Sequence, residues 1–558
     1  MFFKSVIIDL DNTIYDYDIC HSKSLDICIR YISNNSNISI DELYEEYEKS
    51  SIALKKQLET TASSHSKFLK FKLLFNRLSI KLDILELNKM YWDSFFDIMN
   101  LNDGVIDVLN FFKENLIKCY ILTNYTCEYQ YEKIKKLNIS EYFEDIFTSE
   151  EIGNEKPNTK SFLYCIDKIK EPKEKIIMIG DNINDDINSS IDIGIFSFLY
   201  NKNGKFDIHQ NMCQFGNFKD LLTFFKEMKI EISNLSKMSK YCGERFDLTQ
   251  SAGGNISVKY RDMILIKSSG IQLSNLTIHD GYSIMNNKNL KNDTMNDIYM
   301  NLDSYNIFNK NRGSMETYMH SFLKKYSLHL HPIQINSILI NKDCDKIIKK
   351  LFPNSCFIPY KTPGIDLSKE MMNIYNNEEI IFMASHGIVI TSDSYNDLIN
   401  ILETTLITFE SILDTNFDRY KYVNRISSTI NSHVHDYVCI ISEDSHLIKI
   451  LIEDNKSMSS YFPDMTIFCG EKLLDIKVDI ENEIDSFIEN EKYIPIIILF
   501  KGNIYIVGKS IQKCKDIESI LKANMMMSTY GGEKYTLSSS ENMSLKNLES
   551  EKYRINIT

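Results

Sequence analysis

The sequence opens with Val6-Ile7-Ile8, an unbroken apolar run rich in β-branched residues, and Asp9-Leu10-Asp11-Asn12-Thr13 follow at once. No other stretch restricts the fold as much. An apolar run without polar alternation reads as a strand covered on both faces, which places it centrally in a parallel α/β sheet. In such sheets ligands gather outside the carboxyl ends of the strands. Two acids one residue apart at that end suit a hard cation beside a carboxylate nucleophile. Asp and Asn also close strands as turn formers, so taken alone the stretch leaves a plain turn open.

With 558 residues the chain has room for three or four domains. Its 43% hydrophobic and 25% charged residues allow sizeable cores. A net charge of −14 argues against a nucleic-acid partner, which needs a basic face, but leaves a small phosphorylated substrate open. Twelve scattered Cys form no C-x-x-C pair, and Asp9 and Asp11 interrupt any signal-like opening. The expectation is a reduced, cytoplasmic protein without a zinc finger. Apolar runs such as 493–500 are too short for a membrane span.

Helix-like apolar spacing then runs through 22–34, 40–60, 66–78 and 85–99. This predicts a helical insertion covering the end of the first strand, and His65, Lys67 and Lys70 lie within it. The sheet pattern resumes at Lys118–Leu122, where Thr123-Asn124 could hydrogen-bond a phosphate or start a turn. Lys156 stands before Pro157, which favours an extended or turn geometry. A further buried strand, Ile176–Ile179, ends in Gly180-Asp181, and Asp185-Asp186 follow at a helix start.

In this order the four stretches resemble the haloacid dehalogenase (HAD) superfamily over 1–228, with a helical cap at about 15–100. The resemblance implies a Rossmann-like parallel sheet and a Mg²⁺-dependent phosphatase of small phosphorylated metabolites. By it, Asp9 is the nucleophile that forms an aspartyl-phosphate and Asp11 the general acid and base. Thr123 and Asn124 hold the phosphoryl group and Lys156 neutralises it. Mg²⁺ sits on Asp9, Asp11 (through its carbonyl), Asp181 and Asp186, with Asp185 a near-equivalent of the last.

The polar stretch 226–240 marks the expected boundary. Beyond it, Gly253-Gly254-Asn255 begins an alternating strand, and a second strand ends in Lys267-Ser268-Ser269-Gly270. Each reads as a hairpin turn or as a close approach of backbone to a ligand. Ser314-Met315-Glu316 precedes His329-Leu330-His331, whose i, i+2 spacing puts both rings on one face of a strand. Ser385-His386-Gly387 adds a third imidazole, and neutral imidazoles suit Zn²⁺. His433-Val434-His435 has the same spacing and no acidic segment like Glu316 ahead of it.

These segments resemble the class II aldolase/adducin family over 229–420, an α/β/α domain. The resemblance implies Zn²⁺ on His329, His331 and His386, and Glu316 as the proton shuttle. Gly254, Asn255, Ser269, Gly270 and Ser314 fall at its phosphate-binding positions. Met315 departs from the family's usual second Ser. A Zn²⁺-dependent aldolase or lyase acting on a sugar phosphate through an enediolate is implied. An epimerase, a dehydratase, a decarboxylase and a non-catalytic zinc-binding module stay open. The implied partners are small phosphorylated sugars or trioses, with a homo-oligomer formed through this unit. A tyrosine acid belongs to the family chemistry, and none of the 32 tyrosines is singled out for it.

Residues 421–558 read as an α/β extension of the second unit. Strands are expected at 437–442 and 494–500, the latter paired with 503–508 across a Lys-Gly turn, and a helix at 510–525. Phe462-Pro463-Asp464 and 548–554 resemble the C-terminal extension of a longer subgroup of the aldolase-like proteins. Together the two resemblances imply a bifunctional α/β enzyme whose two sites both grip phosphate.

Overall fold

The computed structural model describes residues 2–59, 61–308, 311–454 and 458–547, so the 548–554 segment lies outside the described residues. The chain forms two compact units, one built mainly from residues up to Ile230 and the other mainly from Glu231 onward.

In the first unit, strand Ser5–Ile8 lies at the middle of a sheet. It pairs in parallel with Lys118–Thr123 on one side and Ile176–Gly180 on the other. Phe143–Thr148 and Phe196–Tyr200 extend the sheet outward, also in parallel. The chain therefore moves outward in one direction and returns to build the other half. The carboxyl end of Ser5–Ile8 sits at that reversal, where an α/β sheet opens a crevice. Four helices, Tyr17–Asn34, Ile40–Gln57, Lys67–Leu78 and Ile84–Ile98, form the expected insertion. Asp16, Ser39, Ser66 and Asp83 cap their N-termini with side-chain oxygens. Ile29, Leu43, Phe71, Leu74, Tyr91 and Phe95 fill the core between them.

The polar stretch 226–240 is helical throughout. It belongs to one helix, Phe218–Gly243, because Met228, Ile232, Leu235, Met238 and Cys242 recur at helical spacing and are buried. Lys and Glu on the opposite face account for its polar composition.

The second unit has a mostly antiparallel sheet at its centre. Asn255–Tyr260 pairs with Met263–Lys267 and with Tyr326–Leu330, which pairs in turn with Gly387–Ser392 and then Ile380–Met383. A separate four-stranded sheet follows in the order Val438–Ser442, Asn503–Gly508, Ile497–Phe500, Leu474–Ile476. The expected hairpin is present, and its turn residues Lys501 and Gly502 both take positive φ, which suits a tight two-residue turn. The helix after it runs Ile511–Thr529, with Ser510 as its cap. Strand Leu474–Ile476 is too short to carry a sequence pattern.

Within this unit Glu244 is buried against helix Asp418–His433. One carboxyl oxygen accepts from Ser427 Oγ at 2.6 Å and Asn424 Nδ2 at 3.3 Å, and the other has no protein partner. Burial pushes its pKa up to about 8. The fold therefore keeps the proton while an unfolded chain releases it above pH ~4.5, so stability falls as pH rises from there to about 8. Glu244→Gln keeps the acceptor oxygen and removes that penalty, on the order of 3 kcal/mol at neutral pH. Thermal melting of the second unit is expected to be higher in the variant at pH ~8 and nearly equal at pH ~5. A lower melting temperature at both pH values would reject this.

Candidate active sites

Asp9 follows directly on the central strand, and its backbone N–H donates to Ile179 of the neighbouring strand at 2.8 Å. That bond fixes the carboxyl group over the crevice. Lys156 reaches in from a loop and donates to Asp9 Oδ1 and Asp186 Oδ1, both at 2.5 Å. Thr13 Oγ1 donates to Asp9 Oδ2 at 3.0 Å and lies 3.3 Å from Asp181 Oδ1. Asp9, Asp181 and Asp186 offer oxygens within 4.8 Å of one another. All-oxygen donors at this density fit a hard divalent cation, and Mg²⁺ is the group the donor set suits.

Electrostatics agree with that fit. Burial and the neighbouring Asp186 and Asp181 push the Asp9 pKa well up, against the pull of Lys156. Asp181 is pushed to about 6 by burial and Asp186. Three crowded carboxylates with one lysine are short of positive charge, which a cation supplies. Gly180 is required here, because a Cβ at that position would lie 2.5 Å from Asp186 Oδ2.

Asp11 is held differently. Lys133 Nζ donates to both its oxygens, at 2.7 and 3.0 Å, and the Tyr15 hydroxyl donates to Oδ1. Burial alone would raise its pKa, but Lys133 and these hydrogen bonds hold it low. Gln130 donates to Thr123 Oγ1 at 2.5 Å and to Asp11 Oδ2 at 3.3 Å. Asn124 uses both ends of its amide on the backbone of Lys156, at 3.0 and 2.9 Å. It therefore positions the lysine loop. Asp185 lines the cavity beside Asp186. That cavity, of about 370 Å³, also takes Tyr17, Trp92, Lys55, His65 and Lys67 from the cap. Lys70 is buried within the cap and is not part of the lining.

The second site lies at one end of the other sheet. His329 stands in strand Tyr326–Leu330 opposite Asn255 and Val389, and His331 lies just past its end. His386 sits in the turn between Ile380–Met383 and Gly387–Ser392. One nitrogen of each ring lies within 4.8 Å of those of the other two. His329 and His331 face each other through Nε2 at 3.1 Å. His329 Nδ1 lies 3.2 Å from the Ile388 carbonyl, which favours a proton there and leaves Nε2 as a lone-pair donor. His331 and His386 are pushed down to about 4, by burial first and then by the neighbouring His329. Three imidazole nitrogens converging in this way fit Zn²⁺.

Glu316 Oε1 lies 3.2 Å from His329 Nε2 and 3.8 Å from His386 Nε2. Burial would raise its pKa, but His329 holds it far below the usual range. Its carboxylate can take a fourth ligand position or carry a proton. Gly254, with φ +76°, brings its backbone against the His329 carbonyl. Asn255 Nδ2 beside it is buried without a protein partner. Ser269 N donates to the Arg312 carbonyl at 2.9 Å, and Ser268 bridges Gly313, which brings Ser269-Gly270 alongside Ser314. Met315 is exposed. Lys267, at the end of its strand, joins this arrangement. Its buried ammonium donates to Ile271 O at 2.8 Å and approaches Ala252 O at 3.5 Å, tying the two glycine-bearing loops together. His433 pairs with Asp485 at 2.7 Å and does not join His435 in a ligand cluster.

The chain thus joins an all-carboxylate cluster on a parallel sheet to an imidazole triad on a mostly antiparallel one. Comparison with known families names both. The family of haloacid dehalogenase-like hydrolases matches residues 6–199, and the class II aldolase and adducin N-terminal domain matches 234–410. Residues 6–199 therefore carry a haloacid dehalogenase-like hydrolase domain and residues 234–410 a class II aldolase/adducin-type domain.

A ribulose-1,5-bisphosphate 5-phosphatase of Halopiger xanaduensis is 26% identical over 207 residues, 36% of this chain and 87% of its own. A glyceraldehyde 3-phosphate phosphatase of Methanopyrus kandleri is 27% identical over 190 residues, 33% of this chain and 78% of its own. Among solved structures, an HAD phosphatase from Thermococcus onnurineus is 22% identical, covering 40% of this chain and 98% of its own, with a TM-score of 0.33. An N-terminal class II aldolase domain from Thermoplasma acidophilum is 26% identical, covering 33% and 93%, with a TM-score of 0.29. No helix among the described residues is long and apolar enough to cross a membrane.

Proposed function

We propose that the chain is a bifunctional enzyme. The first unit hydrolyses small phosphorylated sugars or trioses, and the second is a lyase of aldolase type acting on a sugar phosphate. The observation that carries the first half is the convergence of Asp9, Lys156, Asp181 and Asp186 at one strand end. The printed activities of the two archaeal relatives support the substrate class.

In this reading an Asp9 oxygen attacks phosphorus, and the phosphoryl group passes from the substrate oxygen to the carboxylate. Lys156 offsets the charge that accumulates on the phosphoryl oxygens. Asp11 gives a proton to the leaving oxygen, and the resulting carboxylate then takes one from the water that hydrolyses the aspartyl-phosphate. Before that, Asp11 must arrive protonated and loosen its hold on Lys133 and Tyr15. Mg²⁺, when bound by Asp9, Asp181, Asp186 and the Asp11 carbonyl, supplies further charge neutralisation.

For the second unit the supporting observation is the triad with a carboxylate 3.2 Å from one of its nitrogens. Zn²⁺, when bound by His329, His331 and His386, supplies Lewis-acid stabilisation of an enediolate. Glu316 moves the substrate proton, while Ser269, Gly270 and Ser314 take its phosphate.

Two experiments test the pair. Phosphate release by the full chain with Mg²⁺ is measured across phosphorylated sugars and trioses, and turnover of at least one is expected. Cleavage of ketose phosphates is measured for Glu316→Ala with its zinc content. Loss of product by about 10²–10⁴-fold with zinc retained is expected for a proton-shuttling Glu316. Equal activity in the variant would reject that role.

A further inference from the structure

Every other buried cation of the first cavity has an acid of its own. Lys156 lies between Asp9 and Asp186, and Lys133 on Asp11. The half-exposed His65 faces Glu155 at 3.1 Å. Lys67, on the cap helix Lys67–Leu78, is the exception. Its side chain is buried and lines the cavity, yet among the described residues no carboxylate pairs with it. Its ammonium donates to the Tyr17 hydroxyl at 2.6 Å and lies 5.4 and 5.9 Å from the Tyr17 and Tyr91 ring centres. Lys55, from the preceding cap helix, lines the same cavity.

A buried ammonium without a paired acid is costly. Burial, then Lys70 and Lys133, push its pKa well down, and Asp11 opposes them only in part. A hydroxyl and two aromatic faces offset only part of that cost. An anion entering the cavity would offset the rest. The transferring phosphoryl group does not need Lys67, because Lys156 already stands at the nucleophile. Tyr17 and Trp92 provide a wall for the uncharged part of a substrate within the same lining.

We propose that the substrate of the first site carries a second anionic group, a phosphate or a carboxylate, received by Lys67 with Lys55 of the cap. This rests on the phosphatase reading above and narrows its substrate class.

The test uses the full chain with Mg²⁺ and two matched pairs: a hexose bisphosphate against the hexose monophosphate, and a phosphoglycerate against glycerol phosphate. Preference for the doubly anionic member by at least about tenfold in kcat/KM is expected, carried mainly by KM. The pair with the larger preference tells phosphate from carboxylate. In Lys67→Met the preference should collapse to below about threefold, and Lys67→Arg should restore much of it. Without ligand, Lys67→Met should melt no lower than the unsubstituted protein, since an apolar chain replaces an unpaired buried charge.

Equal turnover of both members in the unsubstituted protein overturns the proposal. So does a Lys67→Met loss that is equal for both members and accompanied by a lower melting temperature, because that marks a structural lysine. If no compound is hydrolysed, the phosphatase reading fails. Thermal stabilisation by the hexose bisphosphate then still decides the second-anion site. A shift that disappears in Lys67→Met upholds it, and no shift overturns it.

Discussion

Asp9→Asn is expected to lose phosphate release by about four to six orders of magnitude, with the fold retained. The side chain is nearly isosteric, so the volume at the end of the central strand is unchanged. What goes, in the proposed reaction, is the anionic oxygen that attacks phosphorus, and an amide is a poor nucleophile. The fold tolerates the change for an electrostatic reason. Asp9 shares its surroundings with Asp181 and Asp186, and both raise its pKa. Removing one of three crowded acids relieves repulsion, while Lys156 keeps Asp186 at 2.5 Å. The melting temperature should therefore stay within a few degrees. Phosphate release is measured on the best substrate of the panel, with circular dichroism as the check on folding. Residual activity above roughly one per cent would remove Asp9 from the nucleophile's role.

The parts of this site that the sequence made legible are those at strand ends. Val6–Ile8, Cys119–Leu122 and Ile176–Ile179 are short apolar runs, and the first one or two residues after each are placed by the sheet itself. Asp9, Thr123 and Asp181 follow from that placement, and the structure brings all three to one cavity. Lys133 and Gln130 were invisible for the opposite reason. They lie mid-helix in Cys127–Lys136, in a segment whose composition is that of an ordinary solvated helix. Their i, i+3 spacing on one face was the available signal. Nothing local says that this face turns inward toward Asp11. His65, Lys67 and Lys70 show the same limit within the cap. Periodicity locates the helices, but which of three polar residues faces the cavity depends on how the helices cross.

A comparable division runs through the fold. The hairpin at 497–508 was readable because alternation and a Lys-Gly turn are both local. Helix Phe218–Gly243 is hard to read through from local sequence because its exposed face is rich in Lys and Glu. That composition resembles a linker unless the buried stripe of Met228, Ile232, Leu235, Met238 and Cys242 is followed through it. Asn124 illustrates a subtler gap. An amide at a strand end can serve phosphate or backbone equally well, and here Lys156 takes both ends of it.

His331→Gln is expected to empty the second site of zinc, from about one ion per chain to below roughly a tenth. Gln fills similar space, and His331 is only half-buried at the strand end, so a cavity effect on folding is small. The consequence for binding is large because the site is a bare triad. His329 is fixed by the Ile388 carbonyl, and His386 reaches in from the facing turn. Gln offers no nitrogen lone pair in place of the lost imidazole, so the ion is left with one ligand fewer, His329, His386 and the Glu316 carboxylate. Metal content is read by elemental analysis after gel filtration, which does not depend on knowing the substrate. The same variant should lose ketose-phosphate cleavage. Phosphate release should persist, because the carboxylate cluster of the first unit uses none of these residues. A transition-metal chelator in excess Mg²⁺ should reproduce that split in the unsubstituted protein. Full zinc retention in His331→Gln would mean that His331 is not a ligand, and loss of both activities together would mean that the two sites do not work as separate metal centres.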